Sequence, residues 1–285
     1  MSEWTPRVMR ALACPVCGTG VQWADASLTC AAGHRFDRAR QGYVTLRAGH
    51  GRSLNADTAE MVAARERLQS DGWYAPVAQA VAEAVGSAAR AAEAGLLLDL
   101  AGGTGYYAAA ALDAPELRSW DGICMDLSTP ALKRAARAHG RCVAVGADAL
   151  RPLPLVDGEV DVVLSVFGPR VPSEIARVVR PGGALVVVTP LPQHLAELVD
   201  AVDGVHIHEG KSERLAAQFP GWASGGRVDV VQRLELTAQA AHDALAMGPN
   251  AHHVPSGDLA ALGDREATLA VRVETLTAPA APVAP

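Results

Sequence analysis

Hydrophobic and polar positions along this chain follow two rhythms. After residue 93, short apolar runs at 96–100, 123–125, 142–145, 160–166 and 184–189 alternate with stretches of helical period. Two more strand-like runs, 228–236 and 268–275, flank a helical piece at 242–247. Apolar runs of this kind, separated by helices, predict an α/β domain: a mostly parallel sheet with helices on both faces. Before residue 93 the pattern is helical from 55 to 86. There Asp57 is the expected N-cap, Glu60 its capping-box partner, and Gly72 a break after which YAPVAQAVAEAV resumes the helix. The first 48 residues sustain neither rhythm and have little core of their own.

Cysteine spacing supplies what that first segment lacks. Cys14-x2-Cys17-x12-Cys30-x3-His34 puts two sulfurs on a tight knuckle and closes the set from a facing hairpin. Pro15 and Gly18 suit the turns a knuckle needs. Three Cys and one His fill all four positions of a zinc ion, which marks the metal as structural. Zinc binding contributes folding free energy, roughly 10–16 kcal/mol in small zinc peptides. Cys124 and Cys142 stand apart and read as small core residues.

Composition narrows the class. At 285 residues with 49% hydrophobic content, the chain can bury a large core in one or two domains. No apolar run reaches membrane-spanning length, and the N-terminus shows no signal-peptide core, so a cytoplasmic location without membrane contact is expected. In that compartment clustered cysteines bind metal rather than pair. The net charge of −6 is uneven: residues 1–70 hold nine Arg and six acidic residues, net +3, and the remainder is net −9. The basic end could meet a phosphate backbone.

LLLDLAGGTGYY (96–107) runs from a strand through a Gly-rich turn into a helix. Asp99, Gly103, Thr104 and Gly105 are therefore candidate cofactor contacts, at a turn where backbone approaches a ligand closely. Asp126, ending the next strand 27 residues after Asp99, can accept both hydroxyls of a ribose. Asp148, after the third strand, stands where an adenine amino group would be read. The GxGxxG dinucleotide fingerprint and the Walker phosphate loop are absent. S-adenosylmethionine, which carries no phosphate, is the expected ligand. Seven strands, the last two near the C-terminus, is the count of a class I methyltransferase. The expected division is a zinc module at 1–48, a helical linker at 49–92, a methyltransferase domain at 93–276 and a disordered tail at 277–285.

Further stretches carry a resemblance. They are GHRFDRARQGYV (33–44), DTAEMVAAR (57–65), MDLSTPALKRAARAH (125–139), SVFGPR (165–170), VVRPGGALVVVTP (178–190), QHLAELVDA (193–201) and AMGP (246–249). With the Cys3His knuckle they make the chain similar to the zinc-containing, S-adenosylmethionine-dependent 23S rRNA guanine-N1 methyltransferases, and within them to the tylosin-resistance branch. The resemblance implies zinc on Cys14, Cys17, Cys30 and His34, and cofactor contacts at Tyr74, Gly103, Thr104, Asp126 and His194. It also implies a homodimer that grips an rRNA hairpin, with methylation blocking macrolide antibiotics. The chain departs from the family pattern at Thr45, at Trp73, at Ala101 in place of the turn's first glycine, at Gly168 in the FAP motif, and at Ala251, His252 and His253. Ala101 is a mild change, tolerable if its φ is negative. Trp73, Tyr74 and Phe167 could stack a flipped base, and His194, His252 and His253 are candidate bases by residue type. The departures leave open a second reading, a small heteroaromatic substrate of indole or purine type on the same scaffold.

Overall fold

The computed structural model describes residues 4–48, 56–89, 92–202, 204, 213–248, 251, 254, 257, 259 and 261–280. A short helix α1 (Pro6–Ala11) leads into β1 (Val21–Ala24), β2 (Ser27–Cys30) and β3 (Arg35–Asp37), an antiparallel three-stranded sheet. The two-residue strand β4 (Val44–Thr45) follows. Then come helices α2 (Ala59–Ser70) and α3 (Ala75–Ala89), strand β5 (Leu96–Leu100) and helix α4 (Tyr106–Leu112). Strand β6 (Asp121–Asp126), helix α5 (Thr129–Ala138), β7 (Cys142–Gly146), β8 (Val160–Val166), α6 (Pro172–Val178) and β9 (Val179–Pro190) continue the alternation. The chain closes with α7 (Ala196–Asp200), α8 (Glu213–Gln218), β10 (Ala223–Leu236), α9 (Ala238–Ala246) and β11 (Arg265–Thr277).

The large sheet runs β10-β11-β9-β8-β5-β6-β7-β4. The strands from β9 to β4 pair in parallel, and β11 lies antiparallel between β9 and β10. Strand order reverses at β5, between β6 and β8, and that switch point opens the crevice in which doubly wound sheets bind ligands. Among the described residues the sheet has eight strands where seven were expected. The extra one is β4, too short to be seen in the hydrophobic pattern, which pairs Val44 with Val145 and Thr45 with Gly146.

Side-chain alternation divides the core in two. Leu97 faces the helices α3 and α4 and packs with Val77, Val81 and Leu112. Leu96, Leu98 and Leu100 face the other way and pack with Leu12, Leu28 and Val44 of the N-terminal segment. That segment therefore completes its core against the sheet instead of standing alone. Arg7 anchors it further through an ion pair of 2.6 Å to Asp121.

The helical stretch expected at 55–86 is two helices, and its first residue, Asn55, lies outside the described residues. The N-cap is Thr58, whose hydroxyl accepts from the Met61 N–H. Asp57 instead spends its carboxylate on Arg65, at 2.6 Å. Gly72, at φ +84°, takes the left-handed turn between the helices. At the other end β11 runs to Thr277, and the Ala278 N–H still donates to the Gly183 carbonyl. The first residues of the expected tail thus belong to the sheet, while residues 281–285 lie outside the described set. Among the described residues, no helix is long and apolar enough to cross a membrane.

Candidate functional site

The metal ligands converge. Cys14, Cys17, Cys30 and His34 each offer one ligand atom, all within 4.8 Å of one another. The Cys17 and Cys30 sulfurs are 3.6 Å apart, and His34 Nδ1 lies 3.5 Å from Cys14 Sγ and 3.3 Å from Cys30 Sγ. Tetrahedral Zn–S bonds of about 2.3 Å put sulfurs about 3.8 Å apart, so this donor set fits zinc. Two knuckles hold it. The Gly18 N–H donates to the Cys14 carbonyl and the Gly33 N–H to the Cys30 carbonyl, with both glycines left-handed. The Thr19 hydroxyl beside Cys17 holds its thiol down at about 6, which favours the thiolate a metal requires.

The cofactor turn lies at the switch point. The Gly103 N–H donates to Asp126 Oδ2 at 2.8 Å, and the Ser128 N–H to Oδ1 at 2.7 Å, fixing the carboxylate at the end of β6. A carboxylate oxygen accepts more than one hydrogen bond, so Asp126 retains capacity for ribose hydroxyls. Burial pushes its pKa up. Asp148 follows β7, whose Gly146 pairs with Asp126, and its Oδ1 accepts from the Leu150 N–H. Thr104 is fastened through its hydroxyl to Gln69 at 2.7 Å. Glycine is required at 102, because a Cβ there would lie 2.5 Å from Asp99 Cγ.

Asp99 is fully buried, and among the described residues neither carboxylate oxygen has a hydrogen-bond partner. Burial first, and Asp126 second, raise its pKa to about 7. Tyr74 Oη and Ser165 Oγ are buried and likewise without a partner among the described residues. Buried polar groups left unmatched are costly, and three beside one crevice call for a polar ligand. A sulfonium donor with an ammonium group suits Asp99. The residues present therefore fit S-adenosylmethionine.

Three rings meet next to the turn. The His194 ring stacks on Phe167 at 5.9 Å and 25°, and Tyr74 meets it edge-on at 6.4 Å. His194 Nδ1 accepts the Ala270 N–H at 3.1 Å, and burial lowers the ring's pKa to about 4. The neutral ring thus carries its proton on Nε2 and has no lone pair to spare, so His194 is not the base that residue type suggested. His252 and His253 lie outside the described residues.

Beside these rings a cleft of roughly 260 Å³ opens at the carboxyl ends of β8 and β9. Phe167, Gly168, Arg170 and Thr189 line it. Trp73 is half-buried in the packing around the buried Tyr74, and neither is among the lining residues, so of the three expected stacking residues Phe167 alone is at the cleft. The condition under which Ala101 would be a mild change, a negative φ, is not met: its φ is +57°. Phe167, at +54°, and Leu195, at +54°, share the left-handed conformation on the same sheet edge. Strain of this kind collects at ligand sites. A Cβ on Gly168 would lie 2.9 Å from the Ala101 Cβ. The two departures at 101 and 168 are therefore one: the contact holds a single methyl, on 101 instead of 168.

Sequence reasoning missed Arg65. A Cβ on Gly103 would sit 3.0 Å from its Nη1, and Nη2 donates to the Met247 carbonyl at 2.8 Å. Arg67 adds a bidentate pair to the buried Asp243, both at 2.7 Å. Together they clamp α2 and α9 over the turn. A pair of arginines at i and i+2 gave no signal of this clamp, since the partners it joins on and after α9, Asp243 and the Met247 carbonyl, lie about 180 residues away.

Comparison with known proteins finds matches to both parts of the chain. The RlmA N-terminal zinc-ribbon family matches residues 12–47, and a methyltransferase-domain family matches residues 97–183. The chain is 44% identical over 261 residues to a 23S rRNA (guanine(748)-N(1))-methyltransferase of Streptomyces fradiae, covering 89% of this chain and 90% of that one. It is 41% identical over 273 residues to a Micromonospora griseorubida protein named for 23S rRNA guanine-N1 methylation, covering 90% and 92%. Among solved structures, a chain of the complex between the Haloferax volcanii Trm112 methyltransferase activator and its proposed methyltransferase matches with a TM-score of 0.51. That match has 17% identity over 80% of this chain and all of the other, and it speaks for the fold alone.

Proposed function

The chain belongs to the family of 23S rRNA (guanine-N1)-methyltransferases, an S-adenosylmethionine-dependent methyltransferase with a structural zinc ribbon, and from that membership we propose that it methylates N1 of one guanine in 23S rRNA. The position named for the Streptomyces relative, guanine 748, is the first candidate. The observation that carries the reading is the fusion itself: a ribbon that shares the core of a methyltransferase sheet and lends it an edge strand. Bound S-adenosylmethionine supplies an activated methyl on a sulfonium. What remains for the protein is to hold the donor and to place a base in line with it. Asp99, Asp126, Asp148, Gly103, Thr104, Gly105, Tyr74 and His194 hold the donor in this reading, and Phe167 stacks the base.

The ribbon contributes RNA contacts. Arg10, Arg35 and Arg40 are exposed on it, and the Arg38 guanidinium lies 5.7 Å over the Trp23 ring. Such residues suit phosphates and unstacked bases. The expected setting is the cytoplasm, the expected assembly a homodimer, and the expected consequence altered macrolide sensitivity. Primer extension tests the reaction. N1 methylation removes a Watson–Crick donor and halts reverse transcriptase. Protein-free 23S rRNA incubated with enzyme and donor should stop extension at one guanine, and an unbroken extension would reject the substrate.

A further inference from the structure

We propose that Arg170 grips O6 and N7 of the target guanine, presenting N1 to the methyl donor and easing the loss of the N1 proton. This rests on the guanine reading above. Arg170 lines the cleft with Phe167, and its Nε is buried without a hydrogen-bond partner among the described residues. A guanidinium has donors in a fixed fork and cannot accept, so such a site waits for paired acceptors. The acidic residue that bears on it, Glu274, is itself held by Arg227 at 2.8 Å. The cleft is also in the right place. Its Gly168 abuts Ala101, the first residue of the donor turn, so a base seated on Phe167 lies next to the donor.

Guanine offers two adjacent acceptors, O6 and N7, to a bidentate arginine, whereas adenine puts an amino donor beside N7. Arg170 therefore selects guanine as well as orienting it. The chemistry benefits in a second way. When the N1 proton leaves to water, negative charge is shared between N1 and O6, and a cation at O6 stabilises that anion. The N1 lone pair then takes the methyl group, and the electron pair of the broken C–S bond stays on sulfur as a neutral thioether. The histidine stacked on Phe167, His194, has its lone pair engaged, so the arginine takes over by charge part of what a base would do by proton transfer.

A double cycle tests this. The substrate is a transcript of the 23S hairpin around guanine 748, with guanine or 7-deazaguanine at the target. For the wild-type enzyme, removing N7 should lower kcat/KM by roughly 10- to 100-fold. Arg170→Gln should lower it on natural guanine by a similar factor and show no further loss on the 7-deaza substrate. Its deficit in kcat should shrink as pH rises and the N1 proton becomes easier to lose. Unchanged donor affinity by calorimetry shows that the variant is folded; if it is not, Arg170→Lys replaces it in the same cycle. A full 7-deaza penalty in the variant overturns the proposal. So does a loss confined to KM that scales with salt, which would mark a phosphate contact. A wild-type enzyme inactive on the natural hairpin rejects the rRNA reading, and this inference falls with it.

Discussion

The ribbon and the sheet reach a fixed shape by opposite means. The sheet is held by apolar strands such as β5, in which every residue is buried, each large side chain contributing about 1.5–3 kcal/mol. The ribbon's strands are three or four residues long and only partly buried. Its shape depends on four ligand atoms and on Leu12 and Leu28 tucked against the sheet. One region is folded by its own sequence, and the other is folded conditionally.

Metal removal should break that comparison most visibly. Chelation or Cys17→Ser withdraws a free energy of order 10 kcal/mol from the ribbon. Hydrogen exchange should then lose protection across β1, β2 and β3, with fraying of β4, while β5, β6 and β8 keep theirs. Simultaneous loss across the sheet would show that the two regions are one cooperative unit.

The next effect sharpens the sheet side. Asp99 has a folded pKa of about 7 against an ordinary 3.8. The folded state holds the proton where the unfolded state releases it, so its contribution is full below about pH 4 and is lost as pH rises to about 7. The change is up to about 4 kcal/mol. Asp99→Asn should flatten that slope in thermal melts between pH 4 and 8 and weaken donor binding. A variant with the wild-type slope would remove Asp99 from the site's electrostatics.

A smaller effect concerns the single methyl shared by 101 and 168. Gly168→Ala should cost about 1–3 kcal/mol through overpacking. Adding Ala101→Gly should restore stability, since glycine takes the left-handed turn without strain. Denaturant melts of the two single variants and the double variant measure the coupling, and simple additivity would dissolve it.

How much was readable in advance follows the same divide. The strands β5 and β8 were legible to the residue, because a strand packed on both faces reads as a nearly continuous apolar run, broken here only by Asp99 in β5 and by Asp161 and Ser165 in β8. The metal set was legible because three cysteines and a histidine at that spacing fill the four positions of one tetrahedral ion. What escaped was set by partners distant in the chain. The strand β4 exists because Gly146 leaves room for Thr45, whose Oγ1 would be 2.8 Å from a Cβ there. Asp57 was diverted from capping by Arg65. His194 lost its candidacy as a base to the Ala270 N–H. Ala101 took a positive φ because the tight turn after β5 requires it, whichever residue is present.

The division of labour between ribbon and sheet meets its most direct test in a pair of titrations. S-adenosylmethionine binding is measured by calorimetry on zinc-loaded and zinc-stripped enzyme, and methylation of 23S rRNA is measured on the same samples. A structural ribbon predicts that the stripped enzyme keeps its donor affinity and loses rRNA methylation. If donor affinity disappears with the metal, the donor site depends on the ribbon and the two regions do not divide the work.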